Sequence, residues 1–486
     1  MPAIRIPRQT TILLGLLLCA LVMALFQLGA RGLWDPDEGR YSNVALLMVD
    51  TGDYLVPRRH HESLHVTKPP VTYWTIAASV EAFGRSEWAL RLPMALAYVL
   101  TVMMMFGLGR VFVPARPWLP AVLYLASPVP LVAAGVITTD SLLAFAETAA
   151  MLAYVQHRFA GGTARWLDVM WVLFGLAFMI KGPPSLLPML AIVAWEWRLR
   201  SIAVLRRPLG IVAFCVVGFS WFVWIIVRYP ELLGYFVGHE VVDRIASAGH
   251  DRNGEWYGAF LIYLPTLALG SLPWAALVLW RRVTRRDPAV MAENSRFLWL
   301  WFGLPLVVFF ISQSRLPFYV LPLFVPLCLL AAQSLSNLAI TRLHVGLMAG
   351  WLVLLLAIKA VVAQVPDIQD TRRFAEQLRP LLPEAPSEIV FVEARARYGL
   401  HFYLDAPIEK VSFAPMPGKK PPSDAPYDHD LPSELAEPEQ PRYFLVPKSK
   451  EQRFVDIVAN NGKRARRLGD VNKLAVYSVE AMAAGR

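Results

Sequence analysis

About eleven apolar runs of membrane length follow one another up to residue 364, and they constrain the fold more than any other feature. They read at 11–30, 88–110, 118–136, 140–157, 165–180, 184–198, 208–228, 257–280, 297–313, 316–335 and 343–364. A helix satisfies its own backbone hydrogen bonds inside hydrocarbon, so such a chain is expected to fold as a bundle of spanning helices. Its 486 residues are 56% hydrophobic and only 17% charged, which excludes an ordinary soluble globule. The first run follows Arg5 and Arg8 and is succeeded by further spans, so it reads as a retained helix rather than a cleaved signal peptide. Cys19, Cys215 and Cys328 lie in apolar runs without CxxC spacing, which supports neither a disulfide framework nor a thiolate metal site.

The net charge of +10 comes from arginines grouped in alternate short loops: Arg110 and Arg116; Arg158 and Arg165; Arg198, Arg200, Arg206 and Arg207; Arg281, Arg282, Arg285 and Arg286; Arg342. The positive-inside rule accounts for this pattern with the N-terminus in the cytoplasm, and no nucleic-acid partner is expected. The other loops then all face outward, and they hold Asp37, Glu38, Lys68, Asp140, Lys181, Glu240, Arg244 and Arg315. The stretch Pro69 to Gly84 is apolar but would invert the arginine pattern if it crossed. It reads as a surface helix with Tyr73 and Trp74 at headgroup level.

After Val365 the chain turns polar and proline-rich. Glu388–Glu393, Tyr443–Val446 and Leu474–Val479 read as strands, Thr371–Leu382 and Glu451–Asn460 as helices, and Pro415 to Pro441 as a long loop. The expected organisation is a membrane domain over 1–365, with an outer loop at 31–87, and a small α/β domain over 366–486 on the outer face.

The first outer loop carries Leu33-Trp34-Asp35-Pro36-Asp37-Glu38-Gly39-Arg40-Tyr41, three carboxylates beside a membrane boundary, where charge is costly unless used or neutralised. Gly52-Asp53-Tyr54-Leu55-Val56-Pro57-Arg58, Lys68-Pro69-Pro70-Val71-Thr72-Tyr73-Trp74 and Arg91-Leu92-Pro93 follow. Further on come Met179-Ile180-Lys181-Gly182, Glu240 with Arg244, Gly270-Ser271-Leu272-Pro273-Trp274 and Arg315-Leu316-Pro317-Phe318-Tyr319. This ordered set resembles the bacterial aminoarabinose (4-amino-4-deoxy-L-arabinose) lipid A transferases, glycosyltransferases of the GT-C fold related to the protein O-mannosyltransferases. The resemblance fades after about residue 365. It implies an all-α polytopic membrane protein of about 11–13 spans in the bacterial inner membrane. It also implies transfer of a sugar from a polyprenyl (undecaprenyl) phosphate to lipid A or another envelope glycan at the periplasmic face.

A polyprenyl-phosphate sugar is already activated, so the protein must hold the phosphate, stabilise its growing charge and align the acceptor. Lys68, Arg58, Arg244 and Arg315 are the candidate phosphate cations, with Tyr319 as a hydroxyl donor; headgroup contact is the bland alternative for Arg315. Asp37 is the first candidate for the catalytic acid, matching the acidic position the family uses, with Asp140 and Glu38 beside it. Helix capping by Thr139 or Asp140 is the structural alternative for that segment. Lys181, Glu240, Tyr41 and Tyr73 complete the candidates. A hydroxyl acceptor would need Asp37 as a base, whereas an anionic phosphate acceptor would not. Direct displacement predicts inversion.

No cofactor is expected, a divalent metal being the less favoured alternative. Some relatives have an acid where this chain has Thr67 and a histidine where it has Val241, and can hold zinc there; both ligands are missing here. His60, His61 and His65 near Glu62 read as solvated loop histidines rather than a metal site. No nucleotide-binding glycine loop is present, so a nucleotide sugar is not the expected donor. The alternatives are a protein O-glycosyltransferase and, in another class, a glycolipid transporter, against which stand the absence of repeats and of mid-membrane charges.

Overall fold

The computed structural model describes residues 8–61, 63–236, 253–285, 293–414, 427–438 and 440–481. Two compact units emerge: Met1–Leu28 with Arg91–Ala363, and Gly29–Leu90 with Gln364–Arg486.

The first unit is helical: α1 (Arg8–Leu25), α4 (Glu87–Phe112), α5 (Leu119–Leu125), α6 (Pro128–Ala134), α7 (Thr139–Arg158), α8 (Arg165–Lys181), α9 (Leu187–Arg198) and α10 (Pro208–Arg228). It continues with α11 (Gly258–Gly270), α12 (Trp274–Arg285), α13 (Glu293–Ile311), a 3-10 turn (Pro317–Leu323) leading into α14 (Phe324–Leu335), and α15 (Arg342–Val362). Every apolar run of the sequence is helical, but two are broken. The run at 118–136 is α5 and α6, separated at Ser127, whose extended backbone precedes Pro128. The run at 257–280 is α11 and α12, which meet at 90° around Pro273. Five described segments are long and apolar enough to cross a membrane, up to seven if the bent pairs α6/α7 (115°) and α11/α12 (90°) each count as one span. The count falls below eleven because segments such as α9, with 12 residues, are short for a hydrocarbon core of about 30 Å. The chain is a multi-pass membrane protein all the same.

Close packing is legible at one crossing. α8 lies between α7 and α10, and Gly175 faces Gly218, where an added Cβ would come 3.1 Å from the Phe214 carbonyl oxygen and the Val217 side chain. Small residues let apolar helices approach closely when no water is there to drive them together. At another contact the Lys359 ammonium donates to the Met23 and Ala24 carbonyls (3.1 and 2.8 Å), satisfying the open end of α1.

The second unit holds a six-stranded sheet in the order β3-β2-β1-β4-β6-β5: β1 (Glu388–Val392), β2 (Ile408–Ser412), β3 (His429–Asp430), β4 (Arg442–Pro447), β5 (Lys463–Val471) and β6 (Leu474–Ala481). β1 to β4 are parallel and β4, β6 and β5 antiparallel. The central β1 is apolar on both faces, as a covered parallel strand should be. Its two faces meet separate cores, one around Phe374, Ile389 and Phe391 and the other around Val390, Phe444 and Phe454. The expected strands at 388–393, 443–446 and 474–479 correspond to β1, β4 and β6. β2 carries Glu409 and Lys410 and hides its alternation, and β5 is a charged edge strand. Four helices cover the sheet: α16 (Thr371–Leu378), α17 (Leu400–Leu404), α18 (Leu431–Ala436) and α19 (Glu451–Asn460).

The long loop expected over 415–441 needs correction. Residues 415–426 and 439 lie outside the described residues, but 429–436 form β3 and α18. Asp430 caps α18 by accepting the Ser433 amide (2.9 Å), and Leu431 and Leu435 are buried beneath it.

Residues 29–90 join this sheet unit rather than forming a free loop. They add α2 (Asp37–Thr51) and α3 (Val71–Phe83), which pack together. The Thr371 amide donates to the Leu33 carbonyl (2.9 Å), the Asp35 amide to Gln369 (3.2 Å), and the His401 imidazole pairs with Asn43 (2.9 Å). Tyr73 was expected at headgroup level; instead it is fully buried, because α3 uses residues 72, 73, 76, 77 and 80 as its packing stripe.

Candidate active site

The three acids of the first motif take three different positions. Glu38 is buried, and both carboxylate oxygens face the Arg31 guanidinium (2.5 and 3.0 Å). It also accepts the Trp34 amide (2.9 Å), while Arg31 lies 3.9 Å over the Trp34 ring. Expected as a catalytic acid, Glu38 is here the brace that closes the turn into α2. Asp35 is buried against Thr371, whose hydroxyl donates to it, and burial pushes its carboxyl up to about 6. Gly39 is required behind it, since a Cβ there would strike the Asp35 carboxylate and the Gly399 amide.

Asp37 opens α2, where the helix dipole favours a carboxylate, and it pairs with Arg40 one turn on (2.7 Å). Its side chain is 42% exposed against 1% for Glu38. Of the three acids, it is the one a solute can reach.

Around it the second unit gathers positive charge. The half-buried Lys68 lies just before α3 and donates to the Thr67 carbonyl (3.0 Å). His65 is kept neutral, its pKa driven well down by burial and by Arg40, Arg59 and Lys68 nearby. Arg40 and Arg59 carry no role in the sequence reading, although each adjoins a motif residue. Arg59 is buried and paired with Asp428 (2.7 Å). Arg58 is more peripheral; it donates to the His61 carbonyl (3.2 Å) within a tight turn bridged to Leu64. Tyr41 packs on Tyr73 with ring centroids 5.7 Å apart. The three loop histidines were expected to be solvated, but only His61 is exposed: His60 is buried against Glu388 (2.7 Å) with its ring 5.6 Å from that of His61, and His65 is buried against Tyr73.

The first unit carries a second ionic cluster. α7 is capped by Thr138, whose hydroxyl accepts the Asp140 amide (3.3 Å), so the expected capping by Thr139 or Asp140 moves back to Thr138. The Asp140 carboxylate is thereby left for Lys181, with which it forms a buried ion pair. Lys181 ends α8, where a cation suits the helix dipole, and Gly182 follows at φ 72°, a backbone angle glycine adopts without strain. The ammonium also lies 4.2 Å over the Tyr319 ring. Arg315, expected as a phosphate cation, is 4% exposed and donates to the Asn253 and Glu255 carbonyls (2.7 and 2.6 Å) and to Phe310 (3.2 Å). It works here as a backbone clamp. Glu240 and Arg244, with Glu62, lie outside the described residues.

A family described as dolichyl-phosphate-mannose-protein mannosyltransferase matches residues 67–224, a segment that includes Lys68, Asp140 and Lys181. An undecaprenyl phosphate-alpha-4-amino-4-deoxy-L-arabinose arabinosyl transferase of Pseudomonas fluorescens is 30% identical over 341 residues, 67% of this chain and 59% of the relative. One of Pseudomonas aeruginosa is 30% identical over 356 residues, 70% of this chain and 61% of the relative. The chain thus spans about three fifths of the length of these curated relatives. The crystal structure of ArnT from Cupriavidus metallidurans bound to undecaprenyl phosphate superposes with a TM-score of 0.76 at 21% identity, covering 96% of this chain and 98% of that one. The resemblance read from the motifs stands, and the fold is the expected one: a polytopic helical GT-C body with a small sheet domain toward the C-terminus.

Proposed function

We infer that this relative of the aminoarabinose transferases is itself an inverting glycosyltransferase. It moves a sugar from undecaprenyl phosphate, or a similar polyprenyl phosphate, to lipid A or another envelope glycan. One observation carries the reading: the segment matched by a lipid-phosphate-sugar transferase family contains Lys68, Asp140 and Lys181, the cations and acid that such a donor needs. The C1–O bond to the phosphate breaks, its electron pair leaves with the polyprenyl phosphate, and the acceptor oxygen bonds to C1 from the opposite face. Lys68, in the same unit as Asp37, stabilises the departing phosphate, which gains charge as the bond breaks. Asp37 takes the proton of a hydroxyl acceptor; for an anionic phosphate acceptor it positions the donor sugar instead.

The reading includes placement in the bacterial inner membrane, with the N-terminus cytoplasmic and the C-terminal unit periplasmic. Labelling single cysteines with an impermeant thiol reagent tests this, and modification of a residue in an arginine-rich loop from outside would invert it. It also includes a transfer step without a metal ion. Thr67 stands where relatives have an acidic ligand, and its hydroxyl meets His65 (3.1 Å). Turnover by chelator-treated protein at the untreated rate is the expected result.

Purified protein given a radiolabelled polyprenyl-phosphate sugar and lipid A should yield glycosylated lipid A, identified by mass spectrometry. Translocation of the donor without product would assign a transporter instead. The mannosyltransferase match favours one second reading, transfer to a protein hydroxyl, and a labelled polypeptide in place of lipid would establish it.

A further inference from the structure

Within the sheet unit, four carboxylates that the transfer step does not use crowd one end of the sheet. Val390 pairs with Glu409 across β1 and β2, and side chains alternate along a strand, so Glu388 and Glu409 project from the same face. Glu434 comes down from α18, and Glu437 follows it. Glu409 is 1% exposed and Glu434 2%. Their compensation is uneven. Arg442 pairs with Glu434 (2.5 Å) and Glu437 (2.9 Å), and His60 with Glu388 (2.7 Å). Glu409 lies against the Glu434 carboxylate, and its Oε2 is buried with no hydrogen-bond partner. The Nδ1 atom of His60 is likewise buried without one. A buried carboxylate left this way is destabilising unless a cation or a proton answers it.

His60, Glu388 and Glu409 each offer a ligand atom, and the three atoms lie within 4.8 Å of one another. Tetrahedral coordination with bonds of about 2.0–2.2 Å sets ligand atoms about 3.3–3.6 Å apart, so side-chain adjustments alone could close this set on an ion. We propose that His60, Glu388 and Glu409 bind a divalent transition ion, Zn²⁺ by preference, that ties the 29–90 segment to the end of strands β1 and β2. One imidazole nitrogen with two carboxylates suits Zn²⁺ better than Ca²⁺, which takes six to eight oxygens. Glu434 supports the site by charge, and water completes the coordination. The ion is structural, separate from the transfer step, and its test reads binding and unfolding rather than turnover.

Full-length protein in detergent is stripped with chelator, dialysed, and titrated with Zn²⁺, Mn²⁺ or Ca²⁺. Bound metal is measured by elemental analysis and the unfolding midpoint by thermal scan. The expected result is one tightly held Zn²⁺ per chain and a midpoint several degrees higher on loading. Glu409→Gln and His60→Gln should each weaken Zn²⁺ at least tenfold and abolish the rise. Should Glu409→Gln fail to fold, His60→Gln carries the test, because it removes a ligand without emptying the carboxylate cluster. No stoichiometric metal, with Glu409→Gln raising the midpoint, would show a shared proton in place of the ion. Binding that prefers Ca²⁺ and ignores His60→Gln would overturn the ligand set.

Discussion

The two units each present a carboxylate beside a cation, and the pairs differ in a way that separates support from chemistry. In the helical unit Asp140 and Lys181 are 9% and 8% exposed, closed in beside the Tyr319 ring. In the sheet unit Asp37 and Arg40 are 42% and 27% exposed, one turn apart at the start of α2. A buried pair is rigid and costly to break, so it suits a fixed electrostatic background. A half-exposed pair contributes little to stability and can exchange its partner for a substrate. The closed pair lies in the helical unit, and the open one in the segment that joins the sheet.

The largest expected effect would break this comparison on the buried side. Lys181→Ala leaves Asp140 uncompensated and should cost about 3–5 kcal/mol of stability. Combining Lys181→Met with Asp140→Leu should recover most of the loss, as read from thermal unfolding in detergent. If the single variant is as stable as wild type, the pair is not a structural background.

Asp37→Asn comes next and tests the exposed side. Turnover should fall about a hundredfold or more while the unfolding midpoint stays put, since an exposed pair contributes about 1 kcal/mol or less. A variant that transfers sugar at the wild-type rate removes Asp37 from the mechanism.

Asp35→Asn sharpens the contrast between the neighbouring acids. The folded carboxyl titrates at about 6, above its ordinary 3.8, so the folded state binds more protons across that window and stability falls as pH rises through it. Removing the ionisable group should raise the unfolding midpoint at pH 8 and change it little at pH 4. The gain is about 1–3 kcal/mol at ~1.4 kcal/mol per pK unit, reduced by the weaker bond from Thr371. A midpoint that drops at pH 8 would mean that Asp35 is ionised and holds the turn by charge.

Arg58→Ala is the smallest effect. Its turn contact is exposed, so stability should change by less than about 0.5 kcal/mol. Half-saturation for the donor should shift only slightly, whereas Lys68→Ala should raise it clearly. Equal shifts for both would bring Arg58 into the phosphate site.

Most of the helical unit was legible in the chain, because each run of apolar residues is long and periodicity is not needed to see it. The breaks at Ser127 and Pro273 were not, since prolines are tolerated within membrane helices and only packing decides whether they bend the path. In the sheet unit, β1 and β6 announce themselves by apolar content, whereas β2 hides behind Glu409 and Lys410, whose burial depends on distant partners. Among the candidate residues the motifs named Asp37, Lys68 and Lys181. They ranked Asp37 ahead of Glu38 but could not show that Glu38 is closed off by Arg31, nor tell an anion-binding arginine from one held by carbonyls, as Arg315 is.

What the sequence determined by itself was the solvent of each segment. Long apolar runs must leave water, charged runs must stay near it, and the arginine pattern sets the expected orientation. What only the tertiary structure decided was how each charge is answered. It gathers residues 29–90 with 364–486, gives Glu38 to Arg31, Asp35 to Thr371 and Asp140 to Lys181, and leaves Asp37 half open. The physical reason is that an ionisable group's state depends on burial and on neighbours a few ångströms away, and folding brings those neighbours from hundreds of residues along the chain.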